Sequence, residues 1–288
     1  MKYVDLLNIQ TKDNTAPIMT ALYVYLQRYG KVRYDLAGNL WFERGLARYK
    51  PLIVAHCDTV QEPDSRKVFY EKKGKMLGRI GNKQTGIGAD DRNGIFVALM
   101  LIKKTNIPLK CLFTFGEETG AHGAYKTNET DFDDVAYMLE FDRKGSGDII
   151  NYGSDEFLND VATLGLPFGY KETFGVFTDV TVLSEKMGIS AVNLSCGYYY
   201  AHTQSEYTVI GELYNAICFG VELITNLKKR YDYTYIVPDY NPKVKWSYPG
   251  HCAACGKQAD VSWSNEYWDY LCDSCKEYFE DKTKPVFY

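Results

Sequence analysis

Several things are scarce in this 288-residue chain, and each scarcity narrows its class. There is no excess of basic charge: 33 Lys and Arg stand against 37 Asp and Glu, for a net charge of −4. No global positive field therefore draws the protein to nucleic acid. No stretch reaches the roughly 18 uncharged apolar residues that a membrane helix needs, so no membrane partner is expected. The opening MKYVDLLNIQTKDNT lacks the continuous apolar run of a secretory signal, and cytoplasmic residence is the expectation. Histidine is rare, with only four in the chain, so the place of each one carries information.

What is present fits one large α/β domain with a small appendage. Hydrophobic residues make up 45% of the chain, enough for a core that needs no disulfides. Of eight cysteines, Cys57, Cys111, Cys196 and Cys218 sit in apolar surroundings and read as small buried hydrophobes in a reducing compartment. Tyrosine is common at 25 residues, an excess that the sequence pattern does not explain.

Hydrophobic periodicity predicts helices over Thr15–Tyr29, Ile95–Lys104, Asp155–Leu164 and Ile210–Lys229. Continuous apolar runs at Pro51–Ala55, Lys110–Phe115, Val135–Phe141 and Ser190–Leu194 predict buried parallel strands. Shorter strands are expected at Val32–Tyr34, at Leu40–Phe42, and as an edge pair within Val68–Ile80. The alternation predicts a mainly parallel mixed sheet with helices on both faces. Polar residues follow the apolar strands, where open parallel sheets place their sites.

Those polar residues form five motifs. In His56-Cys57-Asp58-Thr59-Val60, alternation along an extended chain lets Asp58 reach the far ring nitrogen of His56. Gly86-Ile87-Gly88-Ala89-Asp90-Asp91-Arg92-Asn93-Gly94 puts two carboxylates at a helix entry. One would serve as a cap, which leaves the other to bind a metal or to extend the cap. In Gly116-Glu117-Glu118-Thr119-Gly120 two adjacent glutamates repel unless a cation or proton intervenes. They read as a ligand and a base, or as a solvated loop. Asp142 ends another strand, and Ala201-His202-Thr203-Gln204-Ser205-Glu206 supplies a second histidine. Imidazole and carboxylate together suit zinc.

In this order, HCDTV, GADDRNG, GEETG, a strand-terminal Asp and a late AHTQSE resemble the co-catalytic zinc exopeptidases, over roughly residues 50–230. That clan includes bacterial leucine and glutamyl aminopeptidases, peptidase T, and acylase-like relatives. The resemblance implies His56 and Asp142 at one ion, His202 at the other, Glu118 as a ligand of one of them, and Asp90 bridging both. It implies Asp58 as the residue that orients His56, Glu117 as general base on a metal-bridging water, and a cis Asp90–Asp91 peptide. Two Zn2+ ions are expected, with Co2+ or Mn2+ as substitutes, and a peptide or small amide as substrate. Many relatives insert a lid of about a hundred residues between the last Asp and the last His ligands. Here only 60 positions separate Asp142 from His202, which favours aminopeptidase action over dipeptidase or carboxypeptidase action. A deacylase or amidase on the same site, and an inactive scaffold, are the alternative readings.

The remaining cysteines form two knuckles, Cys252-x2-Cys255 and Cys272-x2-Cys275, with 16 residues between them. This spacing reads as a zinc ribbon holding one structural ion by four thiolates. Trp263, Tyr267, Trp268 and Tyr270 lie among acidic rather than basic neighbours. That argues for contact with a protein partner or a second copy rather than with nucleic acid. The expected division is a catalytic domain over 1–230, an aromatic linker over 231–249, and the ribbon over 250–288.

Overall fold

A computed structural model describes residues 1–9, 12, 14–175, 177–234, 248–251, 258–264 and 269–272. The chain divides into two compact units, residues 1–235 and 236–288. The first unit opens with α1 (Tyr3–Asn8) and α2 (Ala16–Leu26), then β1 (Lys31–Tyr34), β2 (Leu40–Arg44) and β3 (Lys50–His56). A meander of β4 (Val68–Lys72), β5 (Lys75–Ile80) and β6 (Lys83–Thr85) leads into α3 (Ala89–Lys104). There follow β7 (Leu109–Thr114), α4 (His122–Tyr125), β8 (Val135–Arg143), β9 (Asp148–Tyr152) and α5 (Asp155–Gly165). The unit closes with β10 (Lys171–Glu172), α6 (Asp179–Met187), β11 (Ala191–Ser195), β12 (Tyr198–Tyr199), β13 (Tyr207–Val209) and α7 (Ile210–Asn226).

Eight strands form one sheet in the order β1-β2-β7-β3-β8-β11-β9-β10. The central β7, β3, β8 and β11 are mutually parallel, while β2 and β9 join them antiparallel. Alternation along the buried strands supplies two apolar faces. Ile53, Ala55, Cys111, Phe113, Leu139 and Phe141 belong to one core. Leu52, Val54, Leu112 and Met138 belong to the other, with Val180 and Leu183 of α6. Each fully buried Leu, Ile or Phe contributes about 1.5–3 kcal/mol, so continuous apolar runs specify these central strands strongly.

Of the two edge strands expected in Val68–Ile80, β4 does lie at an edge, that of a separate antiparallel sheet, β12-β13-β5-β4, while β5 is internal to that sheet and also carries β6. The physical consequence is that β12 and β13 become a hairpin anchored on β5. Its loop carries His202. Among the described residues no helix is long and apolar enough to cross a membrane.

The amino ends of the central strands, opposite the site, are tied by charge. The nearly buried Lys50 of β3 donates to Asp134 at 2.6 Å and to Glu43 at 2.6 Å. Lys110 of β7 also pairs with Asp134, which directly precedes β8. Burial pushes the Asp134 carboxyl up, but the ammonium groups of Lys110 and Lys50 outweigh it and hold it below its ordinary value. A depressed folded pKa stabilises above the ordinary aspartate value of about 3.9. That stability is lost as pH falls through the lower folded value. Asp134→Asn should therefore cost on the order of 1 kcal/mol near neutrality. Asp134 is partly exposed, and each ammonium group loses one charged acceptor but keeps another acceptor, Glu43 for Lys50 and the Asp131 carbonyl for Lys110. In urea denaturation the gap between wild type and variant should shrink below about pH 4. A gap independent of pH would refute the ionic role.

In the second unit, β14 (Tyr248–His251), β15 (Gln258–Ser264) and β16 (Asp269–Cys272) pair antiparallel in that order. Cys252, Cys255 and Cys275 lie outside the described residues. Of Cys272 only its place at the end of β16 is described.

Candidate active site

Four elements deliver side chains to one rim at the carboxyl ends of the central strands. His56 is the last residue of β3 and fully buried. Beyond β7 the chain turns at Gly116, whose φ of +69° suits glycine, and presents Glu117 and Glu118. Asp142 lies near the end of β8. Asp90 and Asp91 stand at the entry of α3 with non-helical dihedrals, and the peptide bond between them is cis.

The two aspartates of this pair do different things. Asp91 Oδ1 accepts the Gly94 N–H at 2.8 Å and its Oδ2 accepts the His56 N–H at 3.3 Å. It thus satisfies one N–H inside the first turn of α3, and it also ties α3 to β3. Asp90 faces the site. Its Oδ1 lies 3.0 Å from His56 Nε2 and its Oδ2 lies 3.2 Å from His202 Nε2. One carboxylate thus spans the two imidazoles. On the His56 side, Asp142 Oδ2 follows at 3.7 Å and Glu117 Oε2 at 3.9 Å. On the His202 side, Glu118 Oε2 lies 3.0 Å from the ring. Glu118 Oε1 is buried and has no hydrogen-bond partner among the described residues.

Asp58 approaches His56 Nδ1 through its Oδ1 at 3.5 Å, while its own carbonyl lies 3.2 Å from the same nitrogen. Its carboxylate also accepts the N–H groups of Glu117 at 3.3 Å and Glu118 at 3.1 Å. Asp58 therefore holds the glutamate loop as well as the ring. Asn193 of β11 brackets Asp142, accepting its N–H at 2.9 Å and donating to its carbonyl at 3.0 Å. The Tyr198 hydroxyl donates to Asp142 Oδ1 at 3.2 Å.

So many buried carboxylates demand positive charge. Burial pushes Glu117 up to about 8, and the charges of Asp179, Asp90 and Glu118 reinforce this against His56. Asp142 is raised by burial and by Asp90 and Asp91. His202 is pushed up to about 10 by its contacts with Asp90 and Glu118. Burial lowers His56, yet Asp142, Asp58 and Asp90 carry it well above its ordinary value. Divalent cations meet the same demand while leaving imidazole nitrogens free to coordinate. Among the described residues, two overlapping groups have their donor atoms within 4.8 Å of one another: His56, Asp90 and Glu118, and His56, Glu117 and Asp142. Nitrogen with carboxylate oxygen is a donor set for zinc and its neighbours. With the orphaned Glu118 oxygen, these residues fit a metal centre.

All seven residues expected here from the sequence, His56, Asp58, Asp90, Glu117, Glu118, Asp142 and His202, thus gather on one rim. Glu206, Asn193, Tyr198 and Asp179 were not expected at the site. Asp179, at the start of α6, is fully buried, accepts the Thr114 hydroxyl, and adds to the charge felt by Glu117. Only Glu206 had a signal, as the last residue of the AHTQSE motif.

No family model matches the sequence, and no protein of curated function does. Solved structures do match in fold. An aminopeptidase of Bacillus cereus aligns with a TM-score of 0.63 and 16% identity, over 77% of this chain and 96% of its own. A tripeptidase of Staphylococcus aureus aligns with 0.65 and 16%, over 77% and 95%. An aminopeptidase of the archaeon Desulfurococcus kamchatkensis aligns with 0.57 and 17%, over 77% and 94%. At these identities the likeness is one of fold: the chain shares the α/β architecture of these peptidases, and its own rim carries a candidate metal site of His, Asp and Glu.

Proposed function

We propose that the chain is a two-metal hydrolase that removes residues from the amino end of peptides. The observation that carries this is Asp90, whose two oxygens each face a different histidine. In this reading His56, Asp90 and Asp142 would hold one zinc ion, and His202, Asp90 and Glu118 would hold the other. When bound, such a pair polarises the scissile carbonyl and makes a water acidic enough to attack at neutral pH. Asp58 fixes the His56 ring by its second nitrogen. Glu117 takes the proton from the attacking water as its oxygen bonds to the carbonyl carbon. It then hands that proton to the leaving nitrogen as the C–N bond breaks.

The chain between Asp142 and His202 supports exopeptidase action without a lid. It is used up by β9, α5, β10, α6, β11 and β12, all part of the sheets or packed on them. The spacing of Cys252, Cys255, Cys272 and Cys275 supports a separate structural zinc in the second unit. A panel of aminoacyl-p-nitroanilides, free peptides and N-acetyl amino acids, each with Zn2+, Co2+ or Mn2+, tests the activity. Metal-dependent release from free amino ends is expected. Cleavage of the N-acetyl substrates alone would replace the reading with a deacylase, and no turnover with any metal would leave a scaffold.

A further inference from the structure

Three polar contacts pin the loop between β12 and β13 to the rest of the rim. Gln61 Nε2 donates to the Thr203 carbonyl at 3.1 Å, and Thr85 Oγ1 donates to Gln204 Oε1 at 2.9 Å. The third contact is a buried carboxylate. Glu206 is fully buried. Its Oε2 accepts the Ile87 N–H at 2.9 Å and the Gly88 N–H at 2.7 Å, and its Oε1 accepts the Asp90 N–H at 3.3 Å. These are the donors at the entry of α3, where Gly88 has no side chain to cap them. A carboxylate from 116 positions along the chain does so instead.

The cap therefore sits on the same loop as His202 and grips the backbone of Asp90. Neither of those residues is held by regular structure. Asp90 has φ −81° and ψ 108°, outside the helical range, and His202 has a left-handed φ of 64°. Left-handed backbone at a non-glycine residue persists only where its surroundings impose it. The 3.2 Å separation between His202 and Asp90 is thus fixed by what joins their two loops.

We propose that Glu206 is the positioning residue that sets the gap between His202 and Asp90, and so the affinity of the His202-side metal ion. This rests on the two-metal reading above. Glu206 touches no reacting atom; it acts through the two residues that it joins.

The test is a Co2+ titration of the metal-free full-length chain, followed by absorption. Thiolate ligands give sulfur-to-metal charge-transfer bands that oxygen and imidazole sites lack, so ions at the C-terminal cysteines are counted separately. Glu206→Gln keeps the shape but turns an amide donor toward backbone N–H groups. It should weaken one of the two active-site ions by about 10–100-fold, the usual loss when an outer partner of a ligand is removed. The other ion, which shares Asp90 but keeps the fully buried His56, should be weakened less. Glu206→Asp keeps both oxygens with a shorter reach and should weaken the same ion less, which provides a second variant should the first fail to fold. Equal weakening at both sites, or no change at either in both variants, overturns the proposal. Wild-type protein that binds Co2+ only through thiolates would instead overturn the two-metal reading beneath it.

Discussion

Asp90→Asn should cost the site both metal ions at once. The carboxylate spans the two histidines, 3.0 Å from one ring and 3.2 Å from the other. A carboxamide offers one acceptor oxygen and no charge, and its amino group must face one of the two imidazoles. Loss of an outer partner lowers metal affinity by about 10–100-fold, and loss of a shared ligand should exceed that at each ion. Peptide hydrolysis should fall below detection with the metals. Cobalt titration, counting the ions without thiolate character, is the check. A variant that keeps one ion at wild-type affinity would show that Asp90 serves a single metal.

The split between Asp90 and Asp91 was assigned by the family resemblance, and the chemistry of the two residues alone does not give it. Both residues were visible as a pair at a helix entry, and the need for one cap was clear from the unsatisfied N–H groups there. Which aspartate caps depends on backbone dihedrals that two identical side chains do not encode. The strands were legible because burial on both faces demands apolar residues at every position, as in Pro51–Ala55. Asp148–Tyr152 was not legible as a strand, since a short mixed run between glycine-rich turns carries no periodicity, and its antiparallel pairing with β11 is a tertiary choice. Of the two edge strands expected in Val68–Ile80, β4 is one, but β5 is not, because its pairing with β13 is set by a hairpin more than a hundred residues away. Asp58 was legible toward His56 through two-residue alternation. Its grip on the N–H groups of Glu117 and Glu118 was not, because those lie 59 and 60 positions along the chain. Glu206 is the extreme case: a surface-type residue by composition, fully buried because three backbone donors at a distant helix entry satisfy it.

Glu117→Gln should leave the metals in place and remove most of the turnover. Among the carboxylates within 4 Å of His56 Nε2, Glu117 is the farthest, at 3.9 Å, and its neighbours already supply carboxylates to both histidines. Glutamine keeps its size and its place on the Gly116 turn but cannot take a proton. Loss of a general acid–base group lowers rates by about 10²–10⁴, so kcat should fall by that much with KM little changed. Glu118→Gln should behave otherwise. That side chain contacts His202 at 3.0 Å, so its neutral variant should lose metal and activity together and recover part of both at high zinc. Metal content and kcat measured side by side on the two variants separate proton transfer from coordination at adjacent residues. If Glu117→Gln sheds an ion while Glu118→Gln retains both, the two roles are exchanged and the base is Glu118.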